Sequence, residues 1–289
     1  MVRLHVKRAD ESQFLYETTT QEPLSEVIKD LVQIYNGRLK IGRLFHELET
    51  LGKHGISLPQ NMQGLTEEQI RELKLEDPYL KSCSPSGGEV QCEDPVGRRC
   101  GRAPTLKMQE VLEKTRNEAK GQVAKELVQA NKCLTMSDVR DALDKMRGAV
   151  MIVYPMNLPP HDPIRMEFEG TEDLSGTQAS KEVIEENSGS LWWSGKELLP
   201  TKKLVDYIGK NEKTKIIVKL QKKGQSAPSR EPVVSAEEQK QMMLHYHRKQ
   251  EELKKLENDE EDAYMNSSWA DNGQLRNQFH GLSNIRWRP

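Results

Sequence analysis

Hydrophobic and polar residues alternate from the first positions of the chain. Val2, Leu4 and Val6 fall on one side and Arg3, His5 and Lys7 on the other, the pattern of a strand with one buried face. Arg8 to Ser12 read as a turn and Gln13 to Thr18 as the returning strand, with His5 on the solvated face. After Pro23, the residues Leu24, Val27, Ile28, Leu31 and Tyr35 recur at helical spacing. Asn36-Gly37 reads as the end of that helix, because glycine tolerates a left-handed C-cap. Strand, strand, helix is the opening of a β-grasp fold. A second helix is predicted over Leu39 to Leu51, and Thr66 with Gln69 forms a capping box for a short third one.

Periodicity then fades. Glu76 to Pro104 is rich in Gly, Pro, Ser and charge and reads as a linker. A long helix with a narrow apolar stripe (Met108, Val111, Leu112, Ala119, Val123, Leu127) is predicted over Thr105 to Asn131. Thr135 and Asp138 cap the next helix, which is expected to stop at Arg147-Gly148.

The most apolar stretch follows. Ala149 to Tyr154 is apolar on both faces, as in a central strand covered on two sides. Ile164 to Glu169 alternates, and Pro155, Pro159, Pro160 and Pro163 between the two runs stiffen a loop that carries His161 and Asp162. A helix opening at Ser175 or Thr177 is predicted next. Leu191 to Trp193, Ser194 to Leu198, Lys203 to Ile208 and Thr214 to Leu220 then read as strand, turn into a short strand, tight turn and last strand. The order over 148–222 looks like a complete ubiquitin-like β-grasp module. A conjugated modifier would end in a free Gly-Gly, whereas here the chain continues through Gln221 to Pro232, so the module is expected to act as a fixed interaction surface. Trp192 and Trp193 are adjacent and point to opposite faces of their strand.

Beyond a linker at 223–234, the run from Ser235 to about residue 260 predicts a polar helix opened by a capping box of Ser235 and Glu238. Its apolar positions are sparse: Met242, Met243, Tyr246, Leu253 and Leu256. The tail, 261–289, carries Tyr264, Trp269, Phe279 and Trp287 in a polar background, a spacing suited to docking on a partner. The predicted fold class is α+β. Its parts are a hairpin–helix region (1–75), a linker (76–104), helices (105–147), the ubiquitin-like module (148–222), a second linker (223–234), a solvated helix (235–260) and the tail. The candidate partner-binding residues are Trp192, Trp193, Tyr246, Tyr264, Trp269, Phe279 and Trp287.

Composition narrows the chemistry. Only 35% of the 289 residues are hydrophobic and 30% are charged, so modest cores and solvated helices are expected rather than one large globule. A net charge of −2 with intermixed signs argues against nucleic acid as the main partner. No apolar run approaches the roughly 20 residues of a membrane span. The N-terminus turns charged too soon for a signal peptide, and a cytosolic protein is expected. Cys83, Cys92, Cys100 and Cys133 contain no C-x-x-C pair and read as free thiols. His245 and His247 are two apart, on different helix faces, and cannot jointly hold a metal. No catalytic, cofactor or metal-binding residue is predicted. His161 and Asp162 are expected on a surface loop.

Longer motifs carry a resemblance. "HVKRADESQFL", "LPQNMQGLTEEQI", "RGAVMIVYPMNLPPHDPIRMEFE", "YIGKNEKTKI", "SAEEQKQMMLHYHRKQEELKKLE" and the closing "RWRP" resemble the kurly family of cilia- and flagella-associated proteins across nearly the whole chain. The loop around Cys92 and Cys100 departs from that family's pattern. The resemblance implies a non-enzymatic cytoplasmic and basal-body protein of motile cilia. It implies support for assembly of the dynein arms, and for cilium positioning and planar polarity. Implied partners are assembly factors, axonemal dyneins or other ciliary proteins; the alternative is a structural subunit on the axonemal doublet.

Overall fold

The computed structural model describes residues 1–230 and 236–266. The chain divides into two compact units, Met1–Arg230 and Glu231–Pro289.

The first unit is α+β, built on a five-stranded mixed sheet. Strands β1 (Val2–Arg8) and β2 (Glu11–Thr18) form the expected antiparallel hairpin. Far along the chain come β5 (Gly189–Trp193), β6 (Lys196–Leu198) and β7 (Lys215–Lys222). The sheet order is β2-β1-β7-β5-β6, with β1 parallel to β7 and every other pair antiparallel. Val2, Leu4 and Val6 on β1, and Ile216, Val218 and Leu220 on β7, turn to the core. The intervening residues, polar apart from Ile217, form the outer face, where His5 Nε2 and Ser12 Oγ lie 3.0 Å apart.

A single helix crosses the inner face. α1 (Leu24–His54) is continuous for 31 residues, so the break expected at Asn36-Gly37 does not occur. Gly37 serves a different purpose from a C-cap. A Cβ there would lie 2.5 Å from Val139 Cγ1, so the glycine lets another helix approach closely. The residues of both expected helices (Leu31 and Ile34, then Ile41, Leu44 and Leu48) continue one buried stripe.

Between α1 and β5 lies the helical part. The capping box at Thr66 opens α2 (Glu67–Glu72) as the sequence predicts. The stretch 76–104, expected to be a linker, instead holds a small hairpin of β3 (Glu89–Gln91) and β4 (Arg102–Pro104) and buries Cys83 and Ala103. α3 (Leu106–Gln122) is shorter than predicted and gives way to a 3₁₀ turn at Lys125–Val128. The chain then meets the β2 edge, where Leu134 N donates to Leu15 O at 2.7 Å.

Two predicted strands are helices. α4 (Met136–Val153) starts at the Thr135–Asp138 capping box but runs past Gly148, so Ala149 to Val153 form its last turn. A short apolar run cannot be assigned to strand or helix by periodicity alone; here Val139, Ala142, Met146, Ala149, Val150 and Val153 make one buried helical stripe. Met151 and Ile152, on the opposite side, are exposed. Ile164 to Glu169 likewise belong to α5 (Pro163–Glu169), opened by Asp162 as N-cap with Pro163 at the first helical position. The expected self-contained module over 148–222 is therefore absent. The place beside β7 is held by β1 from the other end of the chain. α6 (Gln178–Glu182) follows Thr177, and α7 (Val205–Ile208) supplies the turn before β7. The second unit contains α8 (Ala236–Asn266), which is longer than the predicted helix; Ser235, its expected cap, lies outside the described residues.

Candidate functional site

The strand period sends Trp192 to the outer face of the sheet and Trp193 to the inner face. Trp193 packs, half-buried, against the core. Trp192 is half-buried on the outer face, where its Nε1 donates to Ser190 Oγ at 3.3 Å. Register places Trp192 between Lys219 of β7 and Glu197 of β6, with Ile217 opposite His5 on the same face. Ile217 is 38% exposed. Lys219 is buried because Asp10 Oδ1 and the Ser229 carbonyl accept from its Nζ at 3.0 and 2.8 Å. The hydrogen bond and charge of Lys219 hold the Asp10 carboxyl below its ordinary range. One edge of this face is closed, since Leu15 is fully buried beneath the Cys133–Leu134 segment. The rest is an apolar centre of Trp192 and Ile217 among polar and charged side chains.

α8 offers the second surface. Every side chain from Glu237 to Leu256 is exposed. Met242, Tyr246, Leu253 and Leu256 recur at helical spacing along one side, at 53 to 66% exposure. The polar remainder supports the helix through (i, i+4) pairs such as Arg248 with Glu252 at 3.8 Å. Tyr264 lies in the last turns of α8, but its side chain is outside the described residues, as are Trp269, Phe279 and Trp287 altogether.

His161 and Asp162 are not on a surface loop. Asp162 is fully buried. Its Oδ2 accepts from Ser57 N and its Oδ1 from Ile164 N, each at 3.0 Å. Arg99 Nη1 stands 3.8 Å away. Arg99, itself buried, donates to Gly55 O at 2.8 Å and to Glu47 Oε2 at 2.7 Å. Burial pushes the Asp162 carboxyl up, and Arg99 and the two amides oppose that shift. His161 Nε2 lies 3.0 Å from Ser57 O, and the ring meets Tyr79 edge-on. These groups satisfy one another. They join α1, the loop after it, the β3–β4 hairpin and α5 in a structural clasp. Sequence reasoning missed it, although Asp-Pro is a legible helix start and a buried carboxylate demands compensating partners.

All four cysteines are free. Cys100 is half-buried, and desolvation pushes its thiol up. Among the described residues no group of three or more His, Cys, Asp or Glu side chains is placed to hold a metal ion. No described helix is long and apolar enough to cross a membrane.

Comparison with known proteins bears on these surfaces. The family model described as cilia- and flagella-associated protein 298 matches residues 189–285. The chain is 58% identical to cilia- and flagella-associated protein 298-A of Xenopus laevis over 289 residues, covering 100% of both. It is 60% identical to the Homo sapiens protein of that name over 289 residues, again covering 100% of both. This chain belongs to the cilia- and flagella-associated protein 298 family. The Drosophila melanogaster member is 52% identical over 288 residues, spanning 100% of this chain and 99% of that protein. No solved structure matches the chain. Membership supports a cilium-related role and location. The family model opens at Gly189, the first residue of β5, and runs through β7 and α8. It therefore takes in Trp192, Ile217 and the α8 stripe.

Proposed function

We propose that this chain is a non-enzymatic adaptor of motile cilia that supports assembly of axonemal dynein arms in the cytoplasm and contributes to cilium positioning and planar polarity. The observation that carries this reading is identity of 52 to 61% along the whole chain to proteins named for cilia and flagella. The kurly-like motifs support the finer assignment, with cytoplasm and basal body as the locations and dynein arm assembly factors or axonemal dyneins as partners. Two surfaces suit such work. Trp192 with Ile217 on the sheet, and Tyr246 with its neighbours on α8, leave apolar area for partners to cover. Trp193 would take part only where a partner reaches the inner edge. Tyr264, Trp269, Phe279 and Trp287 are assigned to docking on their sequence spacing alone.

We also read the first unit as a ubiquitin-like β-grasp assembled from the two ends of Met1–Arg230. Hairpin, helix, strand, strand, short helix and strand follow in order, with the first and last strands parallel at the sheet centre. The residues between α1 and β5 are then a large helical insertion. Its last strand continues into further chain, which fits a fixed interaction surface.

The alternative is a resident subunit of the doublet microtubule, favoured by the length of α8. Detergent extraction of isolated cilia separates the two. An assembly adaptor is recovered in the cell-body extract, and cells lacking it lose dynein arms in cross-section. A protein retained on extracted axonemes, with arms intact in its absence, overturns the assembly reading in favour of the doublet.

A further inference from the structure

Arg8 at the end of β1 and Arg38 on α1 open onto one cavity of about 410 Å³ beneath the β1–β2 hairpin. That volume is in the range of small-molecule sites. Both arginines are half-buried, and among the described residues every group that accepts a hydrogen bond from their guanidiniums is neutral. Arg38 Nε donates to Val123 O at 2.9 Å and Nη1 to Gln13 Oε1 at 3.2 Å. Arg8 Nη1 donates to the Tyr35 hydroxyl and to Glu182 O, and its Cζ stands 5.0 Å from the Tyr35 ring centre. Among the described residues neither arginine forms an ion pair. Lys125 also lines the cavity but is engaged by Glu11, which accepts from Gln13 as well. Desolvation pulls Arg38 below the ordinary arginine range. Buried cations are ordinarily matched by an anion. Here Glu11 and Glu126 favour the Arg38 charge only at longer range, without an ion pair, and guanidinium donors remain on both arginines for an incoming group.

We propose that this cavity binds a phosphate monoester, held by Arg8 and Arg38 with the Tyr35 hydroxyl beside them. A phosphate dianion pairs directly with both guanidiniums and matches the fork of each. A carboxylate would leave one arginine bare. The Glu11 and Glu182 carboxylates also line the cavity and oppose any anion; Glu11 is engaged by Lys125, whereas Glu182 is exposed. Removal of the Glu182 charge is therefore an internal control on the assignment. The phosphate is carried either by a phosphorylated side chain of a partner protein or by a small metabolite.

The test uses the full chain, with binding followed by isothermal calorimetry and amide chemical shifts. Inorganic phosphate is compared with acetate at matched ionic strength. Phosphate is expected to bind saturably and acetate at least roughly tenfold more weakly. Arg8→Gln, at the cavity mouth, is expected to weaken phosphate roughly tenfold, and Arg38→Gln to do the same wherever its circular dichroism matches the parent. Glu182→Gln, which removes a repulsive charge without touching the core, is expected to tighten binding by roughly threefold. A phosphoserine tetrapeptide and adenosine monophosphate then distinguish the sources, the tighter of the two naming the carrier. Equal response to acetate, or binding unmoved by both Arg8→Gln and Glu182→Gln, overturns the proposal.

Discussion

Helices α1 and α8 are each 31 residues long, and each carries an apolar stripe. On α1 the stripe is enclosed, and Leu44 is 0% exposed. On α8 the same residue type at the same spacing is open, and Leu253 is 53% exposed. The stripes differ in breadth. α1 buries twelve residues on more than one side, because the sheet covers one side and α3, α4 and α5 cover others. α8 has one row of Met242, Tyr246, Leu253 and Leu256, and its other exposed apolar residues, Met243 and Leu244, stand apart from it. Periodicity thus locates an apolar face, while its breadth indicates whether the face is enclosed in the core or left open.

The largest test of this contrast is a leucine truncation on each helix. Leu44→Ala is expected to cost about 3–4 kcal/mol in urea unfolding, through lost burial and a cavity. Leu253→Ala is expected to fall within about 0.5 kcal/mol of the parent, yet to reduce capture of ciliary partners from extracts. A large stability loss from Leu253→Ala would show that α8 is packed in solution and erase the distinction.

The Arg99 clasp comes next. Arg99→Met leaves the Asp162 carboxylate buried without its cation and is expected to cost about 3 kcal/mol. Removing both charges with Arg99→Met and Asp162→Asn should recover a substantial part of that loss. A double variant as unstable as the sum of the two singles would mean that the pair is not coupled.

A smaller effect comes from Gly37. Alanine is the better helix former, so an unpacked site would gain about 1 kcal/mol. At Gly37 the new Cβ meets Val139, and Gly37→Ala is expected instead to destabilise by about 1–2 kcal/mol. Adding Val139→Ala should remove most of the clash. A gain in stability from the single substitution would mean that α1 and α4 do not approach closely there.

The smallest effect is electrostatic. Hydrogen bonds from Lys53 and Arg116 hold the Glu49 carboxyl at about 2, below its ordinary 4.5. The folded value is depressed, so this stabilisation is present above pH 4.5 and is lost as pH falls towards 2. Solvent screening keeps it slight. Glu49→Gln should flatten that part of the stability curve, measured as the urea midpoint between about pH 2 and 5. An unchanged slope would show that the pairs are not maintained in solution.

Much of this fold is legible without coordinates. The N-terminal hairpin, the capping boxes at Thr66 and Thr135, the strands after Gly189, the turn before β7 and the solvated α8 follow from local periodicity and capping chemistry. The errors cluster where two local readings compete. Asn36-Gly37 has the composition of a helix end, and only the presence of Val139 decides otherwise. Ala149 to Tyr154 reads as a central strand, and so short an apolar run suits a buried helix as well. Asp162 beside Pro163 reads as loop, although the same two residues start a helix. The candidate surfaces divide similarly. Alternation places Trp192 and Trp193 on opposite faces, but nothing local brings Trp192 and Ile217 to one sheet face or Arg8 and Arg38 to one cavity.

The amino-acid order by itself determined which segments can form strands and helices, which face of each is apolar, and that α8 is too polar around its circumference to be a core helix. Those are properties of neighbours within a turn or a strand pair, carried by φ/ψ preference and hydrophobic spacing. Only the tertiary structure decided which strand fills the place beside β7, that a glycine is a contact rather than a stop, and that an aspartate among prolines is buried against an arginine. Each of those depends on residues tens to hundreds of positions apart, whose meeting is fixed by the shared burial of surfaces that no local pattern encodes.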